Sequence, residues 1–149
     1  MTADIVTVER RINARPQTVF SFFTHRDRWL SWQGVEAEID ARPGGVFRMN
    51  VRGDGWARGE FTTVEPYEKI VFTWGWEAEG SPVPPSSSTV DVTLTPIGGD
   101  GTLLQLRHTG LPLVAVEPHG EGWNHFLDRL MIRAAGGDPG PDPAAVTTA

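Results

Sequence analysis

The sequence predicts an α+β domain: a curved antiparallel sheet of about six to seven strands wrapped around one long C-terminal helix, with two short helices after the first strand. Three observations carry this expectation. Between residues 35 and 108, six branched and alternating segments follow one another, separated by Gly-, Pro- and Asp-rich turns. Near the end, apolar residues recur at helical spacing. Between the first branched segment and the other six stands a proline-led, aromatic-rich stretch with helical periodicity.

Taken in order, Ile5 to Ile12 reads as a strand rich in branched residues, broken by Asn13-Ala14-Arg15-Pro16. Pro16 suits the first turn of a helix, where its missing N–H costs nothing. Val19, Phe20 and Phe23 follow at helical spacing, and Thr24 to Asp27 divides this helix from a short second one carrying Trp29 and Trp32. Strands are then expected at Val35–Ala41, Val46–Val51, Trp56–Val64, Ile70–Glu77, Thr89–Thr95 and Leu103–His108. Gly53-Asp54-Gly55 and Gly98-Gly99-Asp100-Gly101 are hairpin signals. Ala78 to Ser88 is expected to be a long flexible loop at the mouth of any cavity. The last helix is expected from about Pro118 to Ala135, with Trp123, Phe126, Leu127, Leu130, Met131 and Ala134 on one face. Gly136-Gly137 ends it. Residues 1–137 thus read as one domain, and 138–149 as a Pro/Gly-rich extended tail. Six successive hairpin-like strands curl because sheets twist. A helix laid in the concave face cannot fill the whole curve, so a cavity is expected beside it.

The chain has 149 residues, no cysteine and a formal charge of −6. The missing cysteines exclude disulfides, a cysteine nucleophile and thiolate metal sites. The acidic balance argues against nucleic-acid binding. No apolar run approaches the roughly 18 residues of a membrane span, and the N-terminus turns charged too early for a signal peptide. A cytoplasmic protein is the expectation, with no membrane partner. No cofactor and no metal site are expected. His119 and His125 do not share a helix face, and the two acids of the tail lack a cage. Gly120-Glu121-Gly122 begins a phosphate-loop-like pattern, but His125 stands at its third glycine. Arg52-Gly53-Asp54 is better explained as hairpin turn chemistry than as an adhesion motif.

The segments RRINARPQTVFSFFT, RPGGVFRM, GEFTTVEPYEKIVFTWGW, STVDVTLTP, GTLLQLRHTGLP, HGEGWNHFLDRL and GGDPGPDP occur in this order over nearly the whole chain. Together they resemble the START-like, birch-pollen-allergen-like SRPBCC superfamily. Within it they resemble the bacterial proteins named after the C-terminal domain of the activator of the heat-shock-protein-90 ATPase. The resemblance implies a helix-grip fold. It also implies a range of roles, from carriers of hydrophobic ligands and polyketide cyclases to stress-linked domains.

Strand alternation sorts the candidate residues by face. Ile70, Phe72, Trp74 and Trp76 share one, as do Leu104, Leu106 and His108, and the bulky sets are expected to be concave. His108 then lies among apolar neighbours, either as a hydrogen-bonded core histidine or as a polar fixing point for a ligand. His119 and Trp123, one turn apart, face the sheet with Leu127 and Leu130, so His119 is expected at the cavity mouth or packed on Trp123. The expected cavity lining is Phe20, Phe23, Trp32, Trp56, Phe72, Trp74, Trp76, Leu106, His108, His119, Trp123, Leu127 and Leu130. In the third strand of the six, Trp56, Arg58, Glu60, Thr62 and Val64 share one face and Ala57, Gly59, Phe61 and Thr63 the other, and which is concave is ambiguous. If the Trp56 set is, Glu60 is a buried carboxylate and a general-base candidate. Otherwise Glu60 forms a solvent-side ion pair with a neighbour of opposite charge. The reading is a domain that binds a small hydrophobic or aromatic molecule. The first alternative is a cyclase or dehydratase using the same cavity, with His108 and Glu60, or Asp91, as acid–base candidates. The second is a stress-response or chaperone-associated interaction module. Edge strands and the Phe-rich first helix would support a homodimer, although nothing in the sequence requires one.

Overall fold

The structure is a computed structural model that describes residues 5–143 and 145. Seven antiparallel strands form one sheet: β1 (Val6–Ile12), β2 (Glu36–Ile39), β3 (Val46–Asn50), β4 (Trp56–Glu65), β5 (Lys69–Trp74), β6 (Ser88–Ile97) and β7 (Gly101–Thr109). Their order is β1-β7-β6-β5-β4-β3-β2, so the six strands after the helices form a meander and β1 closes onto the last of them. Helices α1 (Pro16–Ser21) and α2 (Arg26–Leu30) follow β1, and α3 (Leu113–Ala134) runs along the concave face, nearest β1. This is the helix-grip architecture that the alternation and the terminal helix predicted.

The register fixes the faces. Ile70, Phe72 and Trp74 point inward beside Val90, Val92 and Leu94, and beyond them Leu104, Leu106 and His108; all are buried. Arg10 at the far edge donates to Asp128 (2.9 Å) and Asn124 (2.8 Å) of α3, which ties the helix to β1.

Three expectations about element bounds are corrected. α3 begins at Leu113, and Pro118 lies inside it. A proline in the second turn forfeits only the bond to the carbonyl of residue 114, so the helix passes through it. β5 ends at Trp74, because the chain crosses the loop at Gly75, where an added Cβ would stand 1.7 Å from the Pro84 carbonyl oxygen. Only glycine permits that approach. Pairing with β4 nevertheless continues through the Ala57–Trp76 bridge. The loop over residues 78–87 is anchored rather than loose: Val83 is buried, and its carbonyl accepts from the Trp76 N–H at 2.7 Å.

The first two helices do more than connect. Trp29 and Trp32 are fully buried, near-parallel at 6° with centroids 5.9 Å apart, and Phe23 meets both edge-on. Trp29 in turn packs on Phe47, Phe61 and Phe72 of the sheet. This aromatic plug fills the half of the concavity nearest β3 and β4, and the cleft survives beyond it.

Beyond α3, Arg129 donates to the Gly140 carbonyl (2.8 Å), Arg133 to Asp138 (3.2 Å), and His125 Nε2 meets Asp142 at 2.8 Å. The first residues of the tail therefore lie back against the helix.

Candidate functional site

A cleft of about 300 Å³ opens between α3 and the sheet, beside the aromatic plug. Trp74 and Trp76 form one wall, and His119, Trp123 and Phe126 of α3 form the other. Val51, Arg52 and Asp54 reach it from the β3–β4 hairpin, and Gln33 from the turn after α2. Gly122 of α3 faces the same space; an added Cβ there would meet only the Arg52 guanidinium, at 3.9 Å. Three other depressions are larger, about 470, 620 and 760 Å³, but none borders more than one aromatic side chain.

Behind the wall runs a chain of hydrogen bonds. The Trp123 indole N–H donates to His108 Nδ1 at 3.0 Å. His108 Nε2 lies 2.8 Å from Ser88 Oγ, and the Ser88 hydroxyl donates to the Trp74 carbonyl at 2.8 Å. Since the serine has one proton and gives it to that carbonyl, His108 Nε2 carries the hydrogen and donates to Ser88. His119 is held the opposite way round. Its Nδ1–H donates to the Ala115 carbonyl (2.8 Å), and its Nε2 accepts from the Trp76 indole (3.0 Å). Burial, with the neighbouring His119 adding to it, lowers the His108 pKa to about 3. Burial also lowers that of His119, against a raising contribution from the Ala115 carbonyl. Both rings are neutral near pH 7, and each ring nitrogen is engaged.

The structure therefore sorts the expected lining. Trp74, Trp76, His119 and Trp123 border the cleft, and His108 stands immediately behind it as a hydrogen-bonded core histidine. Phe23, Trp32, Phe72, Leu106, Leu127 and Leu130 are fully buried in the packed interior and do not border it. Phe20 packs on Tyr67, with centroids 5.6 Å apart, at the opposite end. The reason is the plug: Phe23 after α1, Trp29 of α2 and Trp32 after it consume the volume those residues were expected to line. Trp56 is corrected as a lining residue, and of the two readings of Glu60 the solvent-side face holds and the buried general base does not. Up to the β-bulge between Phe61 and Thr63, the inward set of β4 is Ala57, Gly59 and Phe61, and Trp56, Arg58 and Glu60 face out; after the bulge Val64 pairs with Ile70 and packs on the core. Trp56 lies under the Arg48 guanidinium, 4.0 Å from its ring centroid, and Glu60 is exposed. Asp91 pairs with Lys69 at 3.2 Å on the outer face.

Sequence reasoning missed Gln33, Val51, Arg52, Asp54, Pro118, Gly122 and Phe126 at the cleft. Phe126 was on the correct helix face, and Gln33 is the polar residue directly after Trp32, a signal that could have marked it. Among the described residues, no group of three or more His, Asp or Glu could hold a metal ion, and no helix is long and apolar enough to cross a membrane.

Comparison with known proteins follows the same outline. The family model described as activator of Hsp90 ATPase homolog 1-like protein matches residues 13–134. No curated protein sequence matches the chain. Among solved structures, the AHSA1-like protein RHE_CH02687 from Rhizobium etli is 41% identical with a TM-score of 0.73, covering 97% of this chain and 90% of that one. DynU16, from the dynemicin biosynthetic locus, is 26% identical with a TM-score of 0.77; the match covers 91% of this chain but only 49% of DynU16. An HSP90 activator from Plasmodium falciparum is 25% identical with a TM-score of 0.68, covering 85% of this chain and 92% of that one.

Proposed function

Because the chain belongs to the family of activator of Hsp90 ATPase homolog 1-like proteins, within the SRPBCC superfamily, we propose that its cleft binds a small, flat, apolar or aromatic molecule. The observation that carries this reading is the wall itself. Three indoles, Trp74, Trp76 and Trp123, converge on one opening of about 300 Å³ in an interior that is otherwise packed. That volume stands at the lower end of small-molecule pockets, about 300–1,000 Å³, which are mostly apolar with a few polar groups. Indole faces supply broad contact area and offset or edge-on ring geometry. Apolar area removed from water contributes about 25 cal/mol per Å².

The acid–base alternative has less support. The carboxylate candidates Glu60 and Asp91 lie on the outer face, and both imidazoles are committed to protein partners. The neighbour from the dynemicin locus and the Plasmodium HSP90 activator share the fold, and their roles are their own.

Titration with naphthalene derivatives, read by tryptophan fluorescence, tests the reading. Binding should change the emission of the wild type and be lost in Gly122→Leu. There, a side chain would grow into the cleft from a position with no close neighbour. Unaltered emission across aromatic and lipid-like compounds, or equal binding by Gly122→Leu, would overturn it.

A further inference from the structure

Gln33 is the most deeply buried of the polar and charged side chains at the cleft. It follows α2 by three residues and is 3% exposed. The fully buried Trp29 indole N–H donates to its Oε1 at 2.8 Å. An indole nitrogen only donates, so turning the amide over would set two donors against each other. Trp29 thereby fixes the orientation of the amide and turns its NH2 group away. That NH2 has no hydrogen-bond partner among the described residues. It is not sealed off either, since the fully occluded, unpartnered side-chain atoms are Trp74 Nε1 and Arg133 Nε.

The other polar groups at the cleft sharpen the point. His119 and Trp76 bond each other, and the Trp123 N–H is spent on His108. Trp74 Nε1 also lacks an acceptor, but it is fully occluded and does not open to the cleft. Arg52 forms no ion pair or hydrogen bond with another described residue, and it is exposed. Asp54 supplies the one acidic group, and it too is exposed. Among the buried side chains at the cleft, the open and unpartnered polar group is therefore the Gln33 NH2, a donor. A carboxylate placed there would be desolvated against an amide, which costs far more than burying a carbonyl.

We propose that Gln33 is the specificity-determining residue of the cleft: its amide NH2, oriented by Trp29, donates to a neutral oxygen acceptor on a flat apolar ligand and selects that ligand over a hydrocarbon of the same shape. The inference rests on the binding reading above and goes further in naming the ligand's polar group.

The test compares acetylnaphthalene with isopropenylnaphthalene, in which a methylene replaces the carbonyl oxygen, and with naphthoate. Affinities are measured on the wild type and on Gln33→Met. The wild type should bind the ketone about tenfold more tightly than the hydrocarbon, the usual yield of one hydrogen bond. Gln33→Met should bind the two equally. In the wild-type protein, the Gln33 side-chain amide resonances should shift with the ketone and not with the hydrocarbon, a readout that survives if the variant fails to fold. Equal wild-type affinities for ketone and hydrocarbon would overturn the inference while leaving the binding reading standing. So would undiminished selectivity in Gln33→Met, or naphthoate binding more tightly than the ketone. Failure of every probe to bind would overturn both.

Discussion

His108 and His119 stand with ring centroids 5.3 Å apart and ring planes at 88°, and they carry their protons on opposite nitrogens. Neighbours dictate the arrangement. Two indole N–H groups, from Trp123 and Trp76, each need an acceptor, and each finds one on a different imidazole. The remaining nitrogen of each ring must then donate, to Ser88 Oγ and to the Ala115 carbonyl. The pair stiffens the wall of the cleft, since all four of its ring nitrogens are hydrogen-bonded at once.

Opposite tautomers are the first expected outcome. Nitrogen-edited NMR should find His108 protonated at Nε2 and His119 at Nδ1 near neutral pH. Finding the same tautomer at both rings would contradict the hydrogen-bond chain.

Acid stability follows from the same burial. The unfolded His108 takes up a proton near 6.5, whereas the folded ring resists until about pH 3. Between these values the unfolded state holds more protons, so stability falls as pH falls. The slope from this residue is about 1.4 kcal/mol per pH unit. His119, also lowered, acts in the same direction. Urea midpoints should begin to drop on acidification below about pH 6.5, above the range in which ordinary carboxylates titrate, and the drop should be shallower in His108→Gln. A flat profile down to about pH 5 would contradict a neutral, buried His108.

Trp123→Phe keeps an aromatic ring but removes the donor to His108 Nδ1. The orphaned acceptor should cost about 1–3 kcal/mol in denaturant unfolding. A change below about 0.5 kcal/mol would mean that the bond contributes little.

Gly120 lies inside α3, where an added Cβ would meet only the Val6 methyl groups at 3.9 Å. Gly120→Ala should therefore raise stability by about 0.5–1 kcal/mol through helix propensity alone. At Gly75 an added Cβ would collide with the Pro84 carbonyl, so Gly75→Ala should instead destabilise the chain and release the loop. A destabilised Gly120→Ala or a silent Gly75→Ala would each contradict the packing described.

The fold was legible because its signals are local and repeated. Alternation in Ile70–Trp74 and Leu104–His108 assigned the inward faces correctly, and the α3 stripe set the helix against them. The β4 face was not legible, since Trp56, Thr62 and Val64 look as burial-prone as Ala57, Gly59 and Phe61. What decides it is long-range: an added Cβ at Gly59 would stand 1.8 Å from the Thr73 carbonyl oxygen, and Arg48 covers Trp56 from outside. The site was legible only in part for a similar reason. The sequence marks Trp29, Trp32 and Phe23 as apolar, but not that they fold back as a plug and confine the opening to the Trp74–Trp123 end. The place of Gln33 directly after Trp32 marks it only weakly, and its bond to Trp29, which sets its role, is visible only in the fold.

The six indole N–H groups provide the most direct test of the cleft. In a proton–nitrogen correlation spectrum titrated with acetylnaphthalene, the signals of Trp74, Trp76 and Trp123 should move together and saturate, while Trp32 and Trp56 stay nearly fixed. Movement confined to Trp32 or Trp56, or no movement at any of the six across aromatic probes, would contradict a binding site between α3 and the sheet.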